Sequence, residues 1–559
     1  MLTTVQKRLT NPWSKKESQI ADLGHISEGR KLENQQMKKM MNGAINLSVA
    51  AFIAKILSAV YRVPFQNMVG NSGFYVYQQI YPIYGIAMTI ALSGFPIFLS
   101  KLVAETATEN ERKSLLKKSF VLLSILSGFF FLVIYFSAEL IANWMGDANL
   151  EPIIQTVSWL FLLIPFLAVS RGYFQGTFRM LPTAVSQVGE QFVRVAVILV
   201  AAYVYTRSQW DEYQMGTIAM SSSWVAGLVA CIILGAALFK QQSFKTKRNT
   251  EVGSIPETVH YASIAKRFAT EGVTMCLMSA LLILMQLIDS FTLYNGLVEN
   301  GLSSFEAKNL KGIYDRGQPL VQLGMVVATA FSASLIPLLS QSFAQQNRKT
   351  FIRTGKSLMR ITATFAMAAT TGIIVLMPYL NLVLFGDTDG SLVLSVYSVS
   401  IFLTSLIGAY NAIFQSQNKH QVALIGLLIG LGIKIVLNDW LVEQFGTLGS
   451  SGATIIGLLV ILIIMWWDLP KEIKESLTEK SFGWKLLFSC GVMAIIVWFE
   501  MKWFGNSALI EENRLAAFGY TILGGVTGIG VFLWLMIKCN VLTIREWLSL
   551  PFGKKMLRK

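Results

Sequence analysis

The chain has 559 residues, of which 53% are hydrophobic and only 14% charged, and its mean hydropathy is +0.53. Such a balance excludes a soluble globular protein of this size, and apolar runs recur along it at the ~20 residues a bilayer-spanning helix needs. The formal charge of +15 would suit a nucleic-acid partner, but most Lys and Arg fall between the apolar runs, where they act as topology signals and argue against nucleic acid.

Residues 1–41 are polar and basic and lack the short apolar core and small-residue cleavage site of a signal peptide, so they read as a cytoplasmic basic arm. Hydropathy then predicts fourteen spans near 43–66, 75–100, 119–142, 153–174, 183–205, 216–239, 268–293, 317–340, 357–385, 391–414, 421–438, 449–467, 484–504 and 515–538. Alternate connecting segments, starting with the arm, hold 36 Lys and Arg, whereas the segments between them hold 6, which puts both termini in the cytoplasm. The expected fold class is an all-α polytopic membrane protein with 14 transmembrane helices.

The first span carries Lys55 and Arg62. Seven residues make almost two helical turns, so both side chains share a face. An intramembrane cation costs roughly 2.5 to 3.5 kcal/mol on insertion scales, and that face is expected to meet negative charge. For Arg62, nearer the outer end, snorkelling outward is the plain alternative. Pro82 and Pro96 in the second span, and Pro319 and Pro337 in the eighth, break those helices at corresponding ends.

The fifth span contains SQVGEQFVRV, whose Gln187, Glu190, Gln191 and Arg194 fall three or four residues apart and make a polar stripe. A Glu190 to Arg194 pair is the structural alternative to a ligand site there. In the seventh span, Asp289 of MQLIDSF needs a partner in low dielectric, and Lys434 of the eleventh span, four residues before Asn438, is the expected one. The eighth span opens with IYDRGQP, which sets Asp315, Arg316 and Gln318 at its outer end, where Arg316 has an interfacial anchor as its plain reading. Arg360, one turn into the ninth span, is expected to snorkel to the cytoplasmic headgroups.

A repeat runs at an offset of 240: Leu99 and Ser100 match Leu339 and Ser340, Phe174 and Gln175 match Phe414 and Gln415, and Arg194 matches Lys434. It divides the chain into an expected N-lobe of six spans at 42–240, a cytoplasmic linker at 241–267, a C-lobe of six spans at 268–468, two further helices within 484–538 and a tail at 539–559. Duplicated halves are typical of transporters that rock about a central site.

Lys55, Arg62, Arg194, Arg316 and Lys434 outnumber the intramembrane acids Glu190 and Asp289, leaving a surplus of about three positive charges for a cavity. Such a cavity favours an anion, and since Arg and Lys pair well with phosphate oxygens, the fitting substrate is a phosphorylated amphiphile. A cation-coupled drug antiporter of the same fold is the alternative; it would show surplus acids. Cys231, Cys276, Cys490 and Cys539 lie singly, as do three histidines, so no disulfide framework, metal cluster or nucleophilic triad is expected. An enzyme acting on the same lipid would need a catalytic acid and a large outer loop, and the longest outer loop here, 294–316, is short.

At these residues the chain resembles the MurJ-type lipid II flippases, in the Gram-positive YtgP and SpoVB branch of the multidrug/oligosaccharidyl-lipid/polysaccharide exporter superfamily. AKILSAVYRVP is similar to the branch's first helix, SRGYFQGTFRMLPTAVSQVGEQFVRV to its fourth-to-fifth helix connection, and YDR followed by IPLLSQSFA to the pattern that opens and closes its eighth helix. The resemblance implies a multi-pass protein of the bacterial plasma membrane that flips lipid II or another polyprenyl-diphosphate glycolipid, with membrane lipids and cell-wall synthesis machinery as partners. It implies a diphosphate site at Lys55, Arg62 and Arg316 and a groove for the lipid tail in the last two helices; the polar stripe of the fifth span adds Arg194, Glu190 and Gln187 to the candidate cavity. An arginine that the family places just after the proline of the second helix is missing, since Pro82 is followed by IYGIAM; either Arg194 supplies that charge or the head group sits differently. Some members bind Na⁺ where this chain has Asp289, Asn438 and Thr454, but Lys434 stands where an asparagine would be, so no cofactor is expected and its ammonium is expected to replace the metal.

Overall fold

The computed structural model describes residues 47, 49–106, 108–245, 261–330, 335–505 and 514–549. The basic arm expected at 1–41, residues 246–260 of the expected linker and the last ten residues of the tail lie outside this set. All regular structure among the described residues is helical. Among the described residues, twelve helices are long and apolar enough to cross a membrane.

The first of these, Val49–Glu105, runs for 57 residues. Straight, it would extend about 85 Å, nearly three times the ~30 Å hydrocarbon core. It is instead a hairpin that folds at Gly70, whose φ of +71° suits glycine. The hydroxyls of Tyr61 and Tyr77 meet at 3.1 Å across the fold, where an unbroken helix would hold those residues about 24 Å apart. One continuous helical segment thus contains the first two expected spans. The eighth expected span corresponds to Gly317–Ala330 and Leu335–Ala344, on either side of residues outside the described set.

The prolines act locally. Pro96 starts the helix Phe95–Glu105, and the turn before it, Ile90–Gly94, widens to a π-helix. A second π-helical turn, Phe268–Gly272, opens the seventh expected span. Large apolar side chains such as Phe192, Ile232, Val436 and Trp484 are exposed, as a lipid-facing surface requires. The chain is a multi-pass membrane protein.

The 240-residue repeat is present in the helices themselves. Met180–Tyr205 and His420–Phe445 are displaced by 240 residues at both ends. The residues leading into them, Phe178 and Asn418, adopt the same left-handed backbone, at φ 58° and 56°. The backbone N–H groups of Arg179 and Lys419 donate to the carbonyls of Phe174 and Phe414 at 2.8 and 2.9 Å. Gly146 and Gly386, at φ 81° and 91°, close another equivalent turn. One hydrophobic core draws mainly on residues 61–234 and a second on residues 278–547.

Lys101, Arg267, Arg348 and Lys419 mark one end of the bundle, the basic end; Asn71, Asn300 and Gly386 mark the opposite end. Between the halves, the second arm of the hairpin runs antiparallel to the 261–299 segment through its whole length. Tyr75 meets Tyr294 with ring centroids 5.2 Å apart, Gln79 donates to the Ser290 carbonyl at 2.6 Å, and Phe95 stacks on Phe268 at 5.1 Å. Lys101 then pairs with Glu271 at 2.8 Å at the basic end. This seam is closed from end to end.

Candidate functional site

The hairpin and the fifth span together build a cage of tyrosines around two arginines. Arg62 comes from the first arm, Tyr77, Tyr81 and Tyr84 from the second, and Arg194 from Met180–Tyr205. Arg194 Nη2 donates to the hydroxyls of Tyr61 and Tyr77 at 3.0 and 2.9 Å, and its guanidinium carbon lies 3.9 Å from the Tyr84 ring centroid. The Arg62 guanidinium carbon lies 4.3 Å from the centroid of Tyr81. Both arginines are buried and close enough to repel each other.

Neither has a carboxylate partner among the described residues. All three side-chain nitrogens of Arg62 and Nε of Arg194 lack hydrogen-bond acceptors; the Tyr61 hydroxyl lies near Arg62 but outside bonding geometry. Contact with an aromatic face offsets burial of a cation by about 2 kcal/mol when the pair is desolvated, which leaves most of the burial cost in place. Two turns before Arg62 on the same helix, Lys55 is exposed. Gln187, one turn from Glu190, is buried with its Oε1 unpartnered, as are both polar atoms of Gln78 and Gln286.

Glu190 does not pair with Arg194. Its partner is Arg171, at 2.5 Å, and both side chains are buried. Arg171 also donates to Ser186 Oγ at 3.3 Å and to the Ala91 carbonyl, in the π-helical turn, at 3.1 Å. The two residues Glu190 and Arg194 do share a helix face, but the Arg194 side chain reaches across to the hairpin's tyrosines while Arg171 reaches Glu190 from the preceding span. Arg171 was hidden in the sequence at the end of a span, within SRGYF, where it reads as a loop cation.

Arg316 is likewise neutralised. Its Nη1 and Nη2 form a two-pronged pair with Asp387 at 2.6 and 2.8 Å, and Nη2 also donates to Asn71 Oδ1 at 2.6 Å. Its side chain is only 1% exposed, so it is no interfacial anchor. The neighbouring Lys311 and Asp315 form a second buried pair at 2.7 Å. Around Arg316 the halves meet at the opposite end: Asn71 bonds Asn309 at 2.8 Å, and Lys308 reaches Asp147 at 3.3 Å. Lys308 is drawn down by burial and more strongly up by Tyr213 and Asp147, so it holds its proton above the usual lysine range.

In the second half, Lys434 and Asp289 pair at 2.8 Å with no exposure. The ammonium also donates to the Met285 carbonyl at 2.7 Å and Thr454 Oγ1 at 2.8 Å, which uses all three of its protons. Asp289 receives Ser450 Oγ at 2.7 Å and the Tyr314 hydroxyl at 2.9 Å. Asn438, one turn further on, bonds Thr292 at 2.5 Å instead.

Among the described residues, Arg171, Lys308, Lys311, Arg316 and Lys434 each pair with a carboxylate, whereas Lys55, Arg62 and Arg194 form no ion pair. Their number equals the surplus counted from sequence, but Arg316 is not among them.

The model of the family described as "Polysaccharide biosynthesis protein" matches residues 40–343. The chain belongs to this family. Among its relatives in Bacillus subtilis (strain 168), the uncharacterized membrane protein YabM is 38% identical over 521 residues, covering 92% of this chain and 95% of its own. Lipid II flippase MurJ of the same organism is 27% identical over 522 residues, covering 89% and 94%. A solved structure of lipid II flippase MurJ in an inward closed conformation shares the fold, with a TM-score of 0.63 at 15% identity over 89% of this chain and 99% of that one. The MurJ-type resemblance carried by the first, fifth and eighth spans is thus borne out.

Proposed function

We propose that this polysaccharide biosynthesis family member is a flippase. It carries a polyprenyl-diphosphate-linked glycan, with lipid II as the first candidate, from the inner to the outer leaflet of a bacterial plasma membrane, both termini facing the cytoplasm. Nothing is chemically transformed. One observation supports this above the others: Arg62 and Arg194 are buried side by side without a carboxylate. A diphosphate supplies the missing acceptors, because each phosphate oxygen can take guanidinium N–H donors in a forked pair. Accessible Lys55, on the same helix face as Arg62, would meet the anion first. A drug cation would meet repulsion at the same place.

The seams support alternating access. The opposite end is latched by Arg316, Asn71 and Lys308, and the basic end by Lys101 with Glu271, so one set must part for loading and the other for release. Bound Na⁺ has no part in this scheme. Asp289 Oδ1, the Met285 carbonyl and Thr454 Oγ1 each accept a hydrogen bond from Lys434, which supports the reading that its ammonium takes the place of a metal ion. Three unpaired cations couple the motion to membrane potential instead, at about 2.3 kcal/mol per charge per 100 mV.

The test is rescue of bacteria depleted of their lipid II flippase. Expression of the chain should restore growth, and Arg62→Ala or Arg194→Ala should not. Rescue by both variants removes the diphosphate site; no rescue by the unmodified chain points to a different polyprenyl-linked glycan. In proteoliposomes, a flipping rate indifferent to collapse of the potential rejects the electrical coupling.

A further inference from the structure

A basic pocket lies at the basic end of the second half, apart from the central arginines. Along the helix Arg348–Phe385, Lys349, Arg353, Lys356 and Arg360 follow at spacings of four, three and four residues, which sets all of them on one helical face. That face lines a pocket of about 680 Å³, closed on its far side by Arg545 and Glu546 of the short helix Ile544–Ser549. Lys349 and Arg353 are exposed, Lys356 is half-buried and the Arg360 side chain is 14% exposed, so the row sinks toward the membrane.

Arg360, at the bottom, is already held. It donates to the Ser476 carbonyl at 3.1 Å and to Glu479, and lies 3.9 Å from Glu546. Lys349, Arg353 and Lys356 form no ion pair among the described residues. Their arrangement is unfavourable twice over. Like charges one turn apart repel, and Lys349, in the first turn, also meets the positive end of the helix dipole, where this helix has no acidic residue. An anion in the pocket would relieve both.

With the orientation proposed above, the pocket sits at the depth of the inner-leaflet phosphates. We infer that it binds the phosphate of an anionic lipid headgroup, and that the bound phosphate ties the helix Ile544–Ser549 to the helix Arg348–Phe385. Each basic side chain near such a surface contributes about a fivefold gain in affinity.

Full-length protein in a neutral detergent is titrated with phosphatidylglycerol or phosphatidylcholine, with bound lipid counted by native mass spectrometry and the melting temperature followed in parallel. Phosphatidylglycerol should bind and stabilise, and phosphatidylcholine should not. The triple variant Lys349→Gln, Arg353→Gln, Lys356→Gln should lose this preference, by about fivefold for each cation removed, and Arg353→Lys should keep it. Lys113→Gln, Lys117→Gln, Arg179→Gln, all exposed cations of the first half, serve as a net-charge control. Equal binding of the two lipids, or an equal loss in the control triple, overturns the assignment. The comparison of the two lipids on unmodified protein decides even where the triple variant folds poorly. A short polyprenyl diphosphate that displaces phosphatidylglycerol identifies the transported lipid as the source of the phosphate; failure to displace it identifies a resident phospholipid. Binding is read without transport, so loss of the flippase reading would leave the result standing.

Discussion

Arg62 and Arg194 face the same tyrosine: their guanidinium carbons lie 4.3 and 5.7 Å from the ring centroid of Tyr81. The hairpin at Gly70 makes this possible by folding the first span onto the second, and the fifth span adds Arg194 from the side. Two positive groups held this way raise the free energy of the empty protein. Replacing one by an apolar side chain of similar length should stabilise the fold and abolish its activity.

Arg62→Met is therefore expected to melt no lower than the unmodified protein, with a gain of about 1 to 3 kcal/mol from removing an unsatisfied buried group. Flipping of a fluorescent polyprenyl-diphosphate lipid in vesicles should fall at least tenfold. A variant that loses both stability and transport would make Arg62 a structural residue.

The pair Asp289 and Lys434 should behave in the reverse manner. Removing either partner leaves a buried charge uncompensated, at a cost of about 3 to 5 kcal/mol, whereas removing both can be nearly neutral. Lys434→Met and Asp289→Leu are each expected to lower the melting temperature sharply, and the double variant to recover most of the loss. Additive losses would mean that the two side chains do not share one interaction. Exchanging NaCl for choline chloride should leave the unmodified protein's melting temperature unchanged. Lys434→Ala, which leaves Asp289, Thr454 and the Met285 carbonyl facing a space, should acquire stabilisation by Na⁺.

The pairing of Asp289 with Lys434 was legible because each is the one charge deep inside an apolar span of the same half, Glu271 lying in the first turn of its span. The 240-residue repeat was legible because its matches, such as Phe174 with Phe414, mark the same turn before a helix. Helical spacing, however, says which residues share a face and not which neighbouring helix they meet. Glu190 and Arg194 share a face and still part company, because Arg171 and the tyrosine hydroxyls offer better-placed partners. Asp387 gave no signal for Arg316: it lies in a short loop 71 residues away, and only the closed packing of the opposite end brings them together. The hairpin escaped notice for a simpler reason. Hydropathy separates two spans by their polar link, and the link here stays helical up to and beyond Gly70.

Arg316 and Asp387 form a latch whose charge can be exchanged. Arg316→Asp is expected to loosen the opposite end, since Asn71 and Asp387 lose their shared donor, and to raise labelling of Asn309→Cys by a membrane-impermeant maleimide in a background lacking the native cysteines. Adding Asp387→Arg should return labelling toward its starting level. Labelling that stays low in Arg316→Asp would show that the contact of Lys308 with Asp147 closes this end without the latch.

At the basic third of the seam, Gly94 packs against Cys276 so closely that a Cβ on Gly94 would lie 2.1 Å from the cysteine sulfur and 2.8 Å from its Cα. The sulfur could swing aside, but the backbone atom cannot, so the two π-helical turns on either side of the contact must shift together. Gly94→Ala is expected to cost about 1 to 3 kcal/mol through overpacking. Cys276→Gly should return only the part due to the sulfur. If Gly94 touches Cys276 only while the basic end is closed, Gly94→Ala should also favour the state in which Lys101 and Glu271 have separated. Cross-linking between Lys101→Cys and Glu271→Cys, in a background lacking the native cysteines, should then be weaker in the alanine variant; cross-linking of equal strength would mean the seam absorbs the methyl group without opening.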